Sequence, residues 1–384
     1  MTDDVRTLPA RSALDDPTSI AFDPTGTLDG LRAALDRVRG ARSVQILAAV
    51  GNGWTPETTD PVLAEAGVPV FGGLFPRVIF DGQSHDRGAV VIGHDEARIA
   101  VIDGTGSIAP AETWALPLRG ARTIITYLDA TCPTGPLTSA LFRELGAGPT
   151  WFGGGAGALD FVRQPVVITP SGLRAGVAVL AGLDATASLG VTHGWRAFGE
   201  PMLVSEARGN DIVSLDWRPA YETYREAVEA HSGRSFEAEG FFALASTYPL
   251  MLERFGAEGV VRDPLAVLPG GVLRCAGEVP SHAGIRIAHG DVAGMLAAAR
   301  EARELAAADR SGGTPRLALT LDCISRALLL GDGLREELEA LRIPGLAQVG
   351  ALTIGEVAST RDSFLQIHNK TTVLAVIASG EAPG

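Results

Sequence analysis

The sequence predicts an α/β or α+β protein in two parts, with mixed sheets built from a repeated strand-helix-strand-strand unit and helices packed on the sheets. Three observations carry this. Leu47, Leu128 and Leu321 each sit in an apolar run, at Val44 to Val50, Thr123 to Ala130 and Leu317 to Cys323. A helix-like stretch and a glycine step follow each run, at Phe71-Gly72-Gly73, Phe152-Gly153-Gly154 and Val349-Gly350-Ala351, so that leucine and first glycine lie 25, 25 and 29 residues apart. A second apolar run then begins at Ala89, Gly176 and Thr372. The repetition reads as strand, helix, glycine turn and strand, and it places the chemistry at the glycine turns.

Taken in order, residues 1 to 27 are rich in Asp, Pro and Thr and read as a mobile arm. Leu31, Leu35 and Val38 recur at helical spacing, which predicts a helix over Leu28 to Arg42 ahead of the first strand. Asp60 to Ala66 and Pro136 to Gly146 read as short helices closed by glycine. Val166 to Thr169 and Leu173 to Leu183 read as strands around Pro170-Ser171-Gly172. A strand over Met202 to Ala207, a turn at Asn210-Asp211 and an amphipathic helix over Arg218 to His231 follow. Gly294 to Ala307 is an Ala-rich helix, broken at Ser311 to Pro315 before the third copy. The expected division is an arm and leading helix over 1–42, a first domain over 43–215 and a second over 216–384.

A chain of 384 residues has room for two cores. Its net charge of -13 argues against nucleic acid as a partner, since a phosphate backbone needs a concentrated basic face. Lys370 is the only lysine; the arginine bias reads as base composition. No secretory signal and no run near the roughly 18 apolar residues of a membrane helix is found, so a cytoplasmic location is expected. Cys132, Cys275 and Cys323 are scattered without a CxxC pair and read as reduced thiols.

Candidate site residues fall into three groups. Gly153 and Gly154 would let backbone N–H groups approach a ligand, or simply make a tight turn. Gly51-Asn52-Gly53 mimics a dinucleotide fingerprint, but Pro56 stands where its third glycine belongs, and no phosphate-binding GxxxxGK[ST] is found. Cys323, Arg326, Gly355, Glu356, His368 and Asn369 lie at strand ends of the third copy. Arg326 could fork a carboxylate and Glu356 hold an ammonium, which suits an amino-acid-like zwitterion. The alternative is an internal Arg326–Glu356 ion pair, with His368 and Asn369 tying down a loop. His193, between Thr192 and Gly194-Trp195, is the histidine suited to ligate haem, or a plain packing residue. Cys323, Glu356 and His368 contain the residue types of a nucleophile, orienter and base, or of an ordinary core. His85 and His94 read as bordering a solvated edge, without zinc-ligand spacing.

The order Phe152-Gly153-Gly154, Thr192-His193-Gly194-Trp195, Asp216 to Pro219, Arg262-Asp263-Pro264-Leu265, Cys323-Ile324-Ser325-Arg326, Gly355-Glu356 and Ile367-His368-Asn369-Lys370-Thr371 resembles the FIST family from about residue 43 onward. The resemblance implies tandem N- and C-terminal FIST domains in a bacterial sensory protein that binds small ligands, amino acids among them. Relatives are often joined to output domains, and some are haem proteins responding to nitric oxide. No segment here is long enough for an output domain, so the signal is expected to pass to a separate partner protein. The expected function is small-ligand sensing without a required cofactor or metal. A haem-based nitric-oxide sensor and a cysteine-dependent hydrolase or transferase are the alternatives.

Overall fold

The repeated runs become three topologically equivalent units, seen in a computed structural model that describes residues 6–7, 20–104, 110–133, 135–254, 258–308, 313–360 and 363–378. Each unit has an edge strand, a helix, a central strand, a second helical segment, a glycine strand, a hairpin and a return strand. In unit one these are Ile20–Asp23, Leu28–Arg37, Ser43–Ala49, Pro56–Ala64, Val70–Phe75, the hairpin Arg77–Phe80 with Gln83–His85, and Ala89–His94. Unit two has edge strand Arg98–Asp103, central strand Thr123–Asp129, glycine strand Thr150–Ala156, hairpin Val167–Thr169 with Gly172–Arg174, and return strand Val177–Leu183. Unit three has edge strand Thr186–Thr192, helix Val292–Ala308, central strand Pro315–Cys323, glycine strand Ala347–Thr353, hairpin Glu356–Thr360 with Ser363–His368, and return strand Thr372–Ala378.

Local chemistry sets several of these boundaries. Thr27 caps the first helix by accepting from the Gly30 N–H, and Thr55 and Thr58 form a capping box before Pro56 at the start of the next. In the sheet of each unit the glycine strand runs parallel to the central strand and the return strand antiparallel to it. The hairpins are exchanged in a ring. That of unit one extends the sheet of unit three, that of unit two extends sheet one, and that of unit three extends sheet two. Alternation along each strand sends one face inward. Ile46 and Phe71, Tyr127 and Phe152, Leu319 and Val349 meet in a core shared by all three sheets. The outer faces pack on helices, as Trp114, Leu118 and Leu141 do on sheet two.

The glycine steps are not turns. Gly72, Gly153 and Gly350 lie inside strands, opposite Ile46, Thr126 and Thr320 of the central strands. A Cβ on any of them would lie 1.8 to 1.9 Å from the carbonyl oxygen of that partner. The repeat therefore marks close strand approach. It also places Ile46, Thr126 and Thr320 in register, one residue before Leu47 and Leu321 and two before Leu128.

Unit three differs by an insertion between its edge strand and its helix. The insert runs from Arg196–Arg208 to Gly284–His289, forms its own sheet, and has a separate core around Tyr224, Val228, Leu250 and Ile287. Residue 215, the expected point of division, ends strand Asp211–Leu215 within that sheet. The expected arm holds the short strand Arg6–Thr7, paired to Ile20–Asp23; residues 8–19 lie outside the described ones. No described helix is long and apolar enough to cross a membrane.

Candidate functional site

The end of the central strand shows where the units diverge. In unit one, Asn52 ties the start of the return strand by bonds to both the N–H and the carbonyl of Gly88, at 2.8 and 2.9 Å. In unit two, Asp129 accepts from the Gly176 N–H at 2.7 Å. In unit three, Cys323 occupies the place of Ala49 and Asp129, and Arg326 the place of Asn52. These small ties become a buried ionic network that reaches into the insert.

Arg326 is fully buried on the short helix Ile324–Leu330. Its guanidinium donates to the carbonyls of His193, Lys370 and Met295 and pairs with Glu337 and, at 3.2 Å, Asp322. The expected partner was Glu356, which is not among these contacts. Arg326 is thus an internal strut rather than a free anchor for a ligand carboxylate. Burial and the neighbouring Glu337 carboxylate hold Asp322 well above the usual carboxylate range. Lys370, also buried, donates to the Ser246 carbonyl at 2.9 Å, pairs with Asp263 at 3.1 Å and lies 5.1 Å from the Trp195 ring centroid. Trp195 returns a bond from its indole N–H to the Lys370 carbonyl at 3.1 Å. Arg262, lowered to about 10 by burial, donates to the Ile367 carbonyl at 3.2 Å. Through Lys370 and Arg262 the insert is fastened to the strand ends of unit three.

Glu356 and His368 are cross-strand partners in the exchanged hairpin. Gly355, at φ +79, makes the bend that admits this hairpin, a left-handed conformation suited to glycine. Glu356 is completely buried, accepts from Thr353 Oγ1 at 2.8 Å, and is pushed up to about 8 by burial. Burial, with Glu356 nearby, pushes the Cys323 thiol up to about 12. That holds the sulfur protonated, the opposite of what a nucleophile requires. Asn369 is buried beside them. Gly153 and Gly154 lie within strand Thr150–Ala156, with Thr126 and Thr353 against their α-carbons. That packing leaves no room for a ligand at either α-carbon.

Glu356 makes stability depend on pH in a defined direction. Its carboxyl binds a proton more tightly in the folded state, so its contribution is complete below about pH 4.5 and is lost as pH rises through about 8. Glu356→Gln should therefore gain stability relative to the wild type as pH rises, by about 4 kcal/mol between pH 5 and 9. Urea melts of both proteins across that range test this. A difference independent of pH would mean that Glu356 is ionised in the folded protein at pH 5.

Beside the network lies a cavity of about 870 Å³ between sheets two and three, bounded by the helix Val292–Ala308 and the insert. Its walls include Phe142, Trp151, Leu189, Val191, Leu305 and Leu365, and its polar lining includes His193, Arg254, Glu258, Glu301 and His368. Of the expected site residues, His193 and His368 line it; Cys323, Arg326, Gly355, Glu356, Asn369, Gly153 and Gly154 do not. Burial keeps both imidazoles neutral, at about 4 for His193 and about 3 for His368. Glu258 is raised to about 7 by desolvation, with Glu301 adding like-charge repulsion. Its side chain is still 52% exposed, so solvent screens part of this effect.

His193 does not fit the role of a haem ligand. Its Nδ1 accepts from the Trp195 N–H at 3.0 Å, so the neutral ring carries its proton on Nε2, which lies 3.2 Å from Glu258. That buried Nε2 therefore has no lone pair to give. Among the described residues no cluster suits a metal ion. His94 is buried rather than solvated, 2.9 Å from Gln45, and held neutral at about 4. The three cysteines are separate buried thiols.

Fold and motifs together define a mixed α/β protein with two domains in tandem. Protein-family comparison matches residues 62–218 to the FIST N domain and residues 220–359 to the FIST C domain, and the chain belongs to the FIST family. FIST domains are sensory domains associated with small-ligand binding in signal transduction. No curated protein matches the chain.

Sequence reasoning missed Asp322, Glu337, Arg254, Glu258 and Glu301. Asp322 had a usable signal, a carboxylate inside an otherwise apolar strand, which burial obliges to find a cation. The cavity residues on the insert had none, because they meet unit three only through the tertiary fold.

Proposed function

We propose that this protein is a small-ligand sensor whose cavity holds an amino-acid-like or other small polar metabolite and whose bound state is passed to a separate signalling partner. The observation that carries this reading is the cavity itself, with Arg254, Glu258, Glu301 and two neutral imidazoles on an otherwise largely apolar lining. Few polar anchors on apolar walls is the usual composition of a small-molecule site. Arg254 can take a carboxylate, and Glu258 and Glu301 an ammonium. The network links this lining to the insert through Lys370 and Arg262, which gives ligand occupancy a route to a surface that a partner could read.

Native mass spectrometry of the purified protein, followed by thermal shift against free amino acids and polar metabolites, tests the reading. Arg254→Ala is expected to weaken a carboxylate ligand roughly tenfold or more. Affinity for an ammonium-bearing ligand should fall below about pH 7 as Glu258 takes up a proton. A bound metabolite indifferent to both changes would place the site elsewhere.

A further inference from the structure

Strand Thr186–Thr192 closes one side of sheet three and, among the described residues, pairs only with the return strand Thr372–Ala378. The bond from the Cys323 N–H to the Thr371 carbonyl fixes the phase of that return strand. Val373 and Ala375 turn their amides to the central strand, and Thr372, Leu374 and Val376 turn theirs to the edge strand, opposite Thr192, Gly190 and Ser188. Ala187, Leu189 and Val191 therefore point their N–H and C=O groups outward. Among the described residues these groups meet no hydrogen-bond partner, and all three residues line the cavity.

Unit one shows what such an edge accepts. Its edge strand carries one more antiparallel segment, Arg6–Thr7, with Arg6 opposite Phe22. Phe22 faces Val90, which faces Leu47; Val191 faces Val373, which faces Leu321. Phe22 and Val191 are the same position in two units, one covered by an added strand and the other open to the cavity.

We propose that the cavity binds an extended peptide as an added antiparallel strand along Ala187–Val191, with its free amino terminus at the inner end against Glu258. This rests on the cavity being the ligand site. A seven-residue edge is about 23 Å long, far beyond the reach of one free amino acid. Main-chain bonds to such an edge give affinity with little demand on sequence. The antiparallel direction puts the peptide's amino terminus where Thr192 leads into His193. Glu258 and Glu301 lie there, together with His368, which is 7% exposed and whose Nε2 has no hydrogen-bond partner. His368 bonds the Ala358 backbone, which leaves Nε2 as the acceptor. Two carboxylates and an imidazole lone pair match the three donors of an α-ammonium group.

The test uses the full chain with four probes: a pool of random pentapeptides, the same pool N-acetylated, the same pool N-methylated on its backbone amides, and a mixture of free amino acids. Thermal shift reports binding, and amide hydrogen exchange by NMR reports Ala187, Leu189 and Val191. The free pentapeptides should raise the melting temperature and slow exchange at those three amides. Acetylation should weaken binding about tenfold, and backbone methylation should abolish it. Val191→Pro removes an outward N–H that the native ladder does not use, so it should fold as judged by circular dichroism yet lose the pentapeptides. Glu258→Gln should erase the preference for a free amino terminus without altering the acetylated pool. Free amino acids that bind while pentapeptides leave the three amides unchanged would overturn the peptide proposal and keep the sensor reading. No response to any probe along the cavity would overturn the peptide proposal and count against the sensor reading. Concentration-dependent dimers that protect the same amides without peptide would assign the edge to a second copy of the chain and overturn it as well.

Discussion

Arg326→Ala should destabilise the protein by about 3 to 5 kcal/mol whether or not a ligand is present, because it strips the cation from a buried group that contains two carboxylates. Asp322, Arg326 and Glu337 are fully buried, so water cannot replace the guanidinium. Asp322 already lies well above the usual carboxylate range in the wild type, so the folded variant must hold one proton more on the Asp322–Glu337 pair than the wild type does, and the unfolded chain releases it above about pH 4. A folded state that binds more protons loses stability as pH rises, so the deficit should be larger at pH 8 than at pH 5. Arg326→Lys keeps the charge but loses the fork that also reaches the His193, Lys370 and Met295 carbonyls, and should recover only part of the loss. Urea melts at the two pH values decide this. A deficit below about 1 kcal/mol, or one equal at both pH values, would remove Arg326 from the role of counter-ion.

Gly350→Ala should cost more than about 4 kcal/mol and leave little folded protein. The new methyl would lie 1.8 Å from the Thr320 carbonyl oxygen, a main-chain atom of the central strand that cannot swing aside as a side chain can. Gly72 and Gly153 meet the same obstacle from Ile46 and Thr126, so the three substitutions should behave alike. Gly345→Ala is the control. Its φ is +83 and nothing lies within 4 Å of its Cβ position, so it should cost about 1 to 2 kcal/mol from backbone conformation alone. Soluble yield and circular dichroism are sufficient measurements. A well-folded Gly350→Ala protein would contradict the close strand pairing that defines the unit.

Much of the frame was legible because the repeat is written in apolar runs. The central strands fall within a residue or two of their expected bounds, and so do the helices Gly135–Leu145 and Val292–Ala308. The glycine steps were found but misread, since a glycine that lets two main chains approach looks the same in sequence as one that turns a corner. The hairpin exchange was not legible. Nothing local to Val78 and Ile79 says that they pair with Ala351 and Gly350 rather than within their own unit. The site was legible in part. His193 and His368 were singled out and do line the cavity, whereas Arg326 was matched with Glu356 because sequence order hid Asp322 and Glu337. Lys370 is marked by being the only lysine, which composition alone explains; its role comes from its place between Asp263 and Trp195.

The ring of exchanged hairpins also governs the order in which the protein can come together. Strand Arg77–Phe80 is synthesised early, yet the strand it must lie against, Ala347–Thr353, emerges from the ribosome near the end of synthesis. The same closure binds Glu356–Thr360 back to Thr150–Ala156. Sheets two and three each take strands from both halves of the chain, so native contacts of very large sequence separation must form before either of them is whole. Such a topology folds slowly and late, and its unfinished edges are exposed in the meantime to other chains. The tandem halves recognised as domains by sequence therefore share sheets two and three.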